Sequence, residues 1–564
     1  WMGSPFLPKV FTIHSVHYSA LSVYTMGAGS VLVGELIRKE TDMDPLSSSE
    51  REDLGSFPWH TLIIPVLILA LGLRLGGVAF DLPYIYHPDE PTNLRIIQGI
   101  VKAGDINPHF FKYPSLLFYL HGLLYVPYGR VATWTGAWEH PTAFQEIHTL
   151  VMGVTHAGMP HLILAHRLIT VALGVGLVFL LWRIARMLFD GEAVGLLAVL
   201  FVALGPTVVD NSRLITPDIP ATFFAALSVL GSAVVLQRGT TWAYVLSGVT
   251  AGLTASAKYN GALILVALVA AHFAAQGIRG LRDYRLYMAF ALAGLAFAAT
   301  TPFALLDFEA FWEDFTFEAR HYSTGHPGME GNTFTWYVQY LWETMGPLAI
   351  LAVFEIVRGV VKGDRGTIVT AVFPVLYFAF INRFVVRNDR TILPLIPFLY
   401  LLAARLLALG GAWLAMRAGT RRRWMAAAVS VVVMAALLWV PVRATVAEIQ
   451  SRTTAHARAS ARAWIEANVP VGSRIAMESY TAFVDPRRYD LEPVLRMIVH
   501  RPEWYDRRGV DYLVFGSKMY GRYFKEPERY AEQKAQYQRF FRTFALVERF
   551  EDSRNQILIF RNLE

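Results

Sequence analysis

Cysteine is absent from the 564 residues, so a disulfide, a thiolate nucleophile and a cysteine-ligated metal site are all excluded. Charged residues are scarce as well. They make up 17% of the chain, against about 25% in soluble domains. No glycine-rich nucleotide-binding loop is evident. Hydrophobic residues make up 54% of the chain, which is typical of a polytopic membrane protein. We assign the net charge of +7 to cytoplasmic loops and not to nucleic-acid binding.

Apolar segments recur along the chain and predict about eleven transmembrane helices. They span residues 59–80, 162–189, 193–210, 219–236, 242–257, 261–277, 286–303, 337–360, 367–382, 391–409 and 424–441. We therefore expect a transmembrane domain over residues 58–441, whose first span serves as its own signal anchor. Residues 1–57 form an N-terminal segment of unclear structure. Its mildly apolar stretch 18–37 is interrupted by glycine and serine, and we interpret it as non-spanning.

Lysine and arginine cluster at alternate ends of these segments, and cytoplasmic loops carry such an excess. The basic ends contain Arg183, Arg186, Arg238, Arg279, Arg282, Arg285, Arg358, Lys362, Arg365, Arg417, Arg421, Arg422 and Arg423. The loops 81–161 and 304–336 and the tail from residue 442 then lie outside the cytoplasm.

The tail 442–564 has the pattern of a soluble extracytoplasmic α/β domain. The stretch TTAHARASARAWIEANV predicts a helix with alanines and Trp464 on one face. The runs SRIAME, VDYLVFG, FALVERF and QILIFR predict strands. EDSRN predicts a hairpin turn between the last two strands.

Several cations on the outer side lie near the membrane, where the charge rule disfavours them. They are Lys112, Arg213, Lys258, Arg383, Arg387 and Arg390. For any single one, pairing with lipid headgroups or snorkelling is an equal alternative. Taken together they predict an anion site, and a lipid phosphate is the best candidate. Arg387 and Arg390 are three residues apart and would share one face of a helix.

The same side carries acids. Asp89 and Glu90 follow Pro88 at the end of the first span, and Asp89 is either a functional acid or a helix N-cap. Asp218 precedes another span. The remaining outer acids are expected to be solvated charges, namely Glu309, Glu313 and Asp314. Glu318 lies beside His321 and His326, and a metal site is an alternative there.

The motifs YHPDEPTNL, FKYPSLLFYL, NSRLITPD and SAKYNG occur in this order, followed by RNDRTILPLIPFLYLLAA. The series resembles GT-C class glycosyltransferases that use polyprenyl-phosphate sugars. It is most similar to family 39, the protein O-mannosyltransferase and aminoarabinose-transferase group. The resemblance covers about residues 60–410, and the tail is similar to the extracytoplasmic domains of bacterial members. Family members often carry KPP in the first loop, whereas this chain has Lys112 followed by Tyr113, Pro114 and Ser115.

The resemblance implies an inverting transfer of a sugar from a polyprenyl-phosphate donor to a hydroxyl acceptor at the outer face of the membrane. Asp89 would be the general base, and Glu90 would support it or orient the acceptor. Cations would stabilise the departing phosphate, namely Lys258, Arg387, Arg390, Lys112 and Arg213. Asp218, as a second acid, would lie on the side of the acceptor or of a metal. Glu318 and His321 are further candidates for this role. No cofactor is certain, although a divalent metal is compatible with these groups.

Two other classes of function remain open from the residues alone. A transporter or flippase of a lipid-linked substrate would place ionisable residues near the bilayer midplane. A non-catalytic membrane scaffold subunit would not need the acid at position 89. The expected partners of a transferase are membrane lipids, the lipid-linked donor, and a protein, lipid or glycan acceptor. We expect it in a bacterial plasma membrane, with its site and C-terminal domain extracytoplasmic.

Overall fold

The computed structural model describes residues 59–454 and 456–563. The segment 1–57, with its expected non-spanning stretch, lies outside the described residues. The helices that precede the C-terminal domain are α1 Ile63–Leu75, α2 Asp89–Ala103, α3 Leu116–Trp134, α4 Pro160–Leu188, α5 Glu192–Leu204, α6 Pro206–Asn211, α7 Asp218–Arg238, α8 Thr241–Ala257, α9 Leu265–Gln276, α10 Tyr284–Thr300, α11 Phe303–Leu306, α12 Phe308–Thr324, α13 Thr333–Met345, α14 Pro347–Lys362, α15 Arg365–Ile381, α16 Asp389–Ile392 and α17 Ile396–Thr453. Each of the expected apolar segments is helical over most of its length.

Fewer of these helices cross a membrane at full length than the sequence predicts. Within residues 59–454 and 456–563, five helical stretches are long and apolar enough to span, or six if α13 and α14 count as one. The apolar helices α1, α5, α10 and α15 are shorter. A helix of 13 residues such as α1 is about 20 Å long, whereas the hydrocarbon core is about 30 Å thick. The prediction of a helical protein with several membrane spans is confirmed, whereas the number of eleven spans is not.

The expected span 337–360 is not one straight helix. It is two helices, α13 and α14, which meet at an angle of 113°. Gly346 between them has φ +58°, a conformation that glycine adopts without steric penalty. Pro347 then starts α14, where its missing N–H leaves no extra donor unsatisfied.

Helix α17 runs from Ile396 to Thr453, but the chain reverses its direction within this range. The ring of Tyr400 packs on Phe201, with centroids 6.2 Å apart. The Thr445 hydroxyl donates to the carbonyl of Leu204, one turn further along α5, at 2.7 Å. A straight helix would separate residues 400 and 445 by about 68 Å. The chain therefore reverses between them, as expected for the two segments 391–409 and 424–441.

The first outer loop is a folded layer. After α1 it contains α2, α3 and a small antiparallel sheet of β1 Tyr84–Ile85, β2 Ile147–Val151 and β3 Val154–Ala157, in the order β1-β3-β2. Its apolar side chains share a core with Ile163 of α4 and Ile215. The layer is thereby fixed to the membrane helices.

The C-terminal domain is a five-stranded sheet with helices. Its elements are α18 Ala457–Asn468, β4 Arg474–Glu478, β5 Asp490–Val494, α19 Pro502–Arg507, β6 Tyr512–Gly516, α20 Ser517–Lys525, α21 Ala531–Thr543, β7 Ala545–Glu551 and β8 Gln556–Arg561. The sheet order is β5-β4-β6-β8-β7. β4 is parallel to β5 and β6, and β8 is antiparallel to β6 and β7.

The four strands, the helix and the hairpin predicted for this domain are confirmed. The strand β5 was missed, because its sequence DLEPV is polar and contains a proline, which sheets tolerate at an edge. The expected boundary at residue 442 lies within α17, which continues to Thr453.

The three segments expected outside the membrane contact one another. Tyr480 of the C-terminal domain donates its backbone N–H to the carbonyl of Met152 in the first loop, at 2.9 Å. The hydroxyl of Tyr530 contacts both carboxylate oxygens of Glu330, at 3.0 and 3.1 Å. The first loop, the loop 304–336 and the C-terminal domain therefore lie on the same side of the helical module.

Candidate active site

Asp89 is the first residue of α2 and lies at the end of the first span. Pro88 occupies the N-cap position and makes no side-chain cap, so the alternative of Asp89 as an N-cap is wrong. The backbone N–H of Asp89 donates to Nδ1 of His87 at 3.3 Å. A carboxylate in the first helical turn is stabilised by the helix dipole. The proline and the histidine thus orient an anionic side chain at the helix start.

Four charged side chains from four parts of the chain meet here, and we call them the ionic cluster: Asp89, Asp218, Lys258 and Arg390. Arg390 Nη1 contacts Asp89 Oδ2 and lies 3.9 Å from Asp218 Oδ2. Lys258 Nζ lies 2.8 Å from Asp218 Oδ1. The two negative charges of the acids equal the two positive charges of the cations, so the ionic cluster has no net charge. Asp89 and Arg390 retain about a fifth of their side-chain surface exposed, at 23% and 19%, and so face accessible space.

The surroundings keep Asp89 ionised. Burial raises the pKa of a carboxyl group, but the charge of Arg390 and its contact with the carboxylate outweigh this effect and leave the pKa of Asp89 below its ordinary value. Burial lowers the pKa of His87 to about 4, so this imidazole is neutral at pH 7 and its Nδ1 can accept the hydrogen bond described above.

Glu90 does not face the same space as Asp89. Its carboxylate is fully buried and forms a two-point ion pair with Arg167, at 3.0 Å to Nε and 2.9 Å to Nη2. It also accepts the backbone N–H of Ile215 at 3.2 Å. Glu90 was expected to support Asp89 or to orient the acceptor, whereas the structure places its carboxylate in a buried pair with Arg167 that joins α2 to α4.

Arg213, expected at a phosphate site, is buried in the helical module. It donates to the carbonyls of Leu73 and Arg74 at the end of α1, at 2.5 and 3.3 Å, and its third partner, Asp210, is 3.8 Å away. Two of its nitrogen atoms, Nε and Nη2, satisfy the helix end, and the side chain is fully buried. This expectation is wrong.

Arg387 and Arg390 do not share a helix face. Asn388 has extended backbone angles and caps α16, which begins at Asp389, so Arg387 lies before the helix. The Arg387 backbone N–H donates to Met329 at 2.8 Å, and its guanidinium lies 4.0 Å from Glu526 in the C-terminal domain. Arg390 alone joins the ionic cluster.

Lys112, Glu318 and His321 form a second group in the outer layer. Lys112 Nζ lies 4.2 Å above the ring of Phe317. Burial raises the pKa of Glu318 although the charge of Lys112 opposes it, and burial lowers the pKa of His321. Within residues 59–454 and 456–563, no three His, Asp or Glu side chains are placed to share a metal ion.

The sequence of the middle of the chain matches a known family. Residues 139–305 match the model described as dolichyl-phosphate-mannose-protein mannosyltransferase. Among curated proteins, no sequence match is found.

Solved structures share the fold over most of the chain. The Archaeoglobus fulgidus oligosaccharyltransferase in its apo form is 11% identical, with a TM-score of 0.53, over 84% of this chain and 71% of that one. The same organism's AglB in complex with an inhibitory peptide and a dolichol-phosphate is 12% identical, with a TM-score of 0.51, over 81% and 70%. ArnT from Cupriavidus metallidurans bound to undecaprenyl phosphate is 14% identical, with a TM-score of 0.50, over 89% and 98%. The protein has the GT-C glycosyltransferase fold.

An apolar groove lies between helices α13, α14, α15 and the start of α17. Its volume is about 560 Å³. Its lining comes from α13, α14, α15 and the start of α17, namely Phe334, Val338, Leu341, Trp342, Ala349, Ile350, Val353, Ile356, Val357, Pro374, Val375, Phe378, Leu395 and Leu399. Phe378 packs on Tyr337, and the Tyr337 hydroxyl lies 3.5 Å from the backbone nitrogen of Asn388, two residues before Arg390. The groove therefore ends close to the cations.

Sequence reasoning missed two residues of this GT-C site. His87 was quoted only as part of a motif, yet it contacts the backbone of Asp89. Tyr113 is half-buried near the cluster, and desolvation, then the charge of Asp89, raises its pKa well above the ordinary value. The position of Tyr113 directly after Lys112, where family members carry proline, is the signal that pointed to it.

Proposed function

We propose that this protein transfers a sugar from a polyprenyl-phosphate donor to a hydroxyl acceptor at the outer face of a bacterial plasma membrane. The transfer inverts the anomeric centre, with Asp89 as the general base. The observation that carries the proposal is the ionic cluster, in which an ionised carboxylate and a guanidinium are in contact at the end of an apolar groove.

The apolar groove supports a lipid-linked donor. Its lining is almost entirely hydrocarbon, and an isoprenoid chain gains about 25 cal/mol for each Å² of apolar surface that it buries. The phosphate at the head of such a chain would lie at the groove end near Arg390. The fold is shared with an ArnT structure that contains undecaprenyl phosphate and an AglB structure that contains a dolichol-phosphate, which agrees with a donor of this kind.

The reaction is a single displacement. The acceptor oxygen attacks the anomeric carbon, the bond from that carbon to the phosphate oxygen breaks, and the acceptor proton passes to Asp89. Because a carboxylate is a weak base toward a hydroxyl, the proton moves as the new bond forms. The polyprenyl phosphate leaves with an additional negative charge.

Proton transfer and phosphate departure are coupled through Arg390. In the resting site the guanidinium is paired with Asp89. When Asp89 takes the proton it becomes neutral, and Arg390 loses its partner as the phosphate gains charge. The positive charge is then available to the leaving group, where it stabilises the transition state more than the ground state. Lys258 remains paired with Asp218, which is 3% exposed and holds both cations in place.

The position of the charges favours a transferase over a transporter. The ionic cluster connects the start of α2 with the starts of α7 and α16 and the end of α8, so it lies at one end of the helical module. A transporter of a lipid-linked substrate is expected to carry such groups near the midplane.

Photo-crosslinking combined with turnover tests the proposal. A photoreactive polyprenyl phosphate should crosslink to the groove helices α13 and α14, and unlabelled polyprenyl phosphate should compete. With a polyprenyl-phosphate sugar of known anomeric configuration, product NMR should show the opposite configuration. Crosslinks that scatter over all lipid-facing helices, or retention of configuration, would reject the donor site or the mechanism respectively.

A further inference from the structure

A polar pocket lies where the C-terminal domain meets the first loop and the end of α17. Its volume is about 160 Å³, which is enough for several water molecules or a small oxyanion. We call it the junction pocket. Its lining includes Asp81, His87, Arg452, His456, Arg458, Lys518, Asp552 and Arg554.

Most of the charges in the junction pocket already have partners. Arg452 Nη2 lies 2.6 Å from Asp210, and Arg554 contacts Glu448. His456 contacts Asp81. The two arginines are therefore paired with carboxylates, and Asp81 has His456 as its partner.

Asp552 is also engaged. It accepts the backbone N–H of Ala457 at 2.7 Å and those of Arg554 and Asn555 at 2.7 and 2.8 Å. Its oxygens therefore fix the loop after β7 and the start of α18. Within the described residues, no hydrogen bond or ion pair joins them to the two remaining cations, although their charge acts on both.

Arg458 is one of those two cations. It is only 6% exposed, its Nε donates to the carbonyl of Tyr480 at 2.9 Å, and its guanidinium lies 4.7 Å above the ring of Tyr86. Among the described residues, no acceptor forms a hydrogen bond with its buried Nη2. A buried donor that lacks a partner is costly, by about 1–3 kcal/mol, and charged donors cost more. The guanidinium is thus placed for an acceptor that the protein does not supply.

Lys518 is the second cation. Its side chain is exposed, and it forms no ion pair with any residue in 59–454 or 456–563. Crowding by protein atoms, followed by repulsion from Arg458 and Arg452, lowers the pKa of Lys518 to about 8. Asp81 and Asp552 oppose this repulsion, and an anion in the pocket would offset it further.

We propose that the junction pocket binds an oxyanion, a phosphate or carboxylate group, through Arg458 and Lys518. We further infer that this group belongs to the acceptor, a step that rests on the proposed function. The pocket includes His87, which accepts the N–H of Asp89. An acceptor held by its acidic group in this pocket would present its hydroxyl beside the base. The acceptor class is therefore an acidic molecule, and the C-terminal domain contributes to its selection.

The test uses pyridoxal 5′-phosphate, an aldehyde that carries a phosphate, on the full-length protein in detergent. Its aldehyde condenses with a lysine amine and releases water, and borohydride reduces the imine to a stable amine. Peptide mapping should show preferential labelling of Lys518 over Lys525, an exposed lysine at the other end of α20. Inorganic phosphate should suppress labelling of Lys518. Pyridoxal, which lacks the phosphate, should show a smaller preference, because only the lowered pKa of Lys518 then favours this lysine.

Two arginine variants supply the matched comparison. Arg458→Met should reduce labelling of Lys518 by pyridoxal 5′-phosphate about tenfold, which corresponds to about 1.4 kcal/mol. Arg462→Met, on the same helix but outside the junction pocket, should leave the labelling unchanged. Equal labelling by the two aldehydes in the parent protein would overturn the site. If Arg458→Met is poorly folded, phosphate protection in the parent protein still decides the question.

Further experiments distinguish a lipid headgroup from an acceptor as the source of the anion, and they test anion binding separately from sugar transfer. In nanodiscs, protection of Lys518 by phosphatidylglycerol but not by phosphatidylcholine would assign the site to a lipid headgroup and overturn the acceptor assignment. Asp89→Asn should label at Lys518 as the parent does, so the pocket is tested independently of catalysis. With membrane-derived acceptors, Lys518→Met should lower transfer at limiting acceptor while donor crosslinking remains unchanged. Unchanged transfer would also reject the acceptor assignment.

Discussion

The guanidinium of Arg390 contacts the carboxylate of Asp89 and also lies 3.9 Å from Asp218. One cation therefore connects the residue proposed as the base with the residue that holds Lys258. This arrangement keeps Asp89 ionised and places positive charge where a departing phosphate would gain negative charge.

Substitution of the base is the first prediction. Asp89→Asn should lower transfer by about 100-fold or more, because an amide cannot accept the acceptor proton. Crosslinking of a polyprenyl phosphate to the groove should persist, since Arg390 and Lys258 remain. Glu139→Gln, an exposed acid of the same loop, is the control and should retain full activity. Near-parental turnover by Asp89→Asn would assign this residue to the helix start alone.

The two arginines near α16 should differ in importance. Arg390→Lys keeps the charge but loses the planar two-point geometry, so binding of a labelled polyprenyl phosphate should weaken about tenfold. Arg387→Lys should have little effect, because Arg387 lies beside Glu526. Equilibrium binding in detergent gives both values. The reverse order of effects would move the phosphate site to Arg387.

Glu90 should affect stability more than chemistry. Glu90→Gln leaves Arg167 buried without a charged partner, and breaking such a pair is destabilising by about 3–5 kcal/mol. The melting temperature should drop accordingly. The double variant Glu90→Gln with Arg167→Met should recover part of the loss. A Glu90→Gln protein as stable as the parent would show that the pair is not an anchor of α2.

The C-terminal domain should lose stability as the pH rises through neutrality. Glu478 in β4 is buried, and burial raises its pKa to about 7 although it accepts hydrogen bonds from Met497, Tyr537 and Gly516. In the unfolded chain its pKa is 4.5. Between these values the folded form binds more protons, so the stability is fully present below pH 4.5 and is lost as pH rises through 7. Hydrogen exchange of β4 and β6, corrected for intrinsic rates, should accelerate over this window, and Glu478→Gln should abolish the dependence.

The sidedness of the site is testable because the chain has no cysteine background. Single cysteines at Ser323 and Ala531, both exposed in the outer layer, should react with a membrane-impermeant thiol reagent in intact cells. A cysteine at Arg365, at the start of α15, should react only after the membrane is opened. The opposite labelling pattern would place the ionic cluster in the cytoplasm.

Sequence periodicity predicted the elements well, and it failed where single residues decide geometry. The helices and the hairpin of β7 and β8 follow from local apolar pattern and turn residues, whereas the outer location of Asp89 stays a prediction from charge. The bend at Gly346 and the edge strand β5 did not, because a positive φ and an edge position depend on neighbours that the pattern does not include.

The candidate site was predicted in its residue types and only partly in its partners. Asp89, Lys258, Asp218 and Arg390 do meet. Arg213 and Glu90 carried the same charge signals but are buried in structural contacts. A charge near a membrane reports that a partner exists, and it does not say whether the partner is protein or ligand.

The sequence by itself determined that this chain is a membrane-embedded helical protein with an acidic pair after its first span, because hydrophobic length and charge bias act locally. Only the tertiary structure decided which of the pair faces the site. On α2 the two neighbouring residues point in different directions. Packing against α4 buries Glu90 on Arg167, while the folding of α16 beside α2 brings Arg390 to Asp89. Contacts between residues so distant in the chain depend on how the helices pack, and local sequence carries no signal for that.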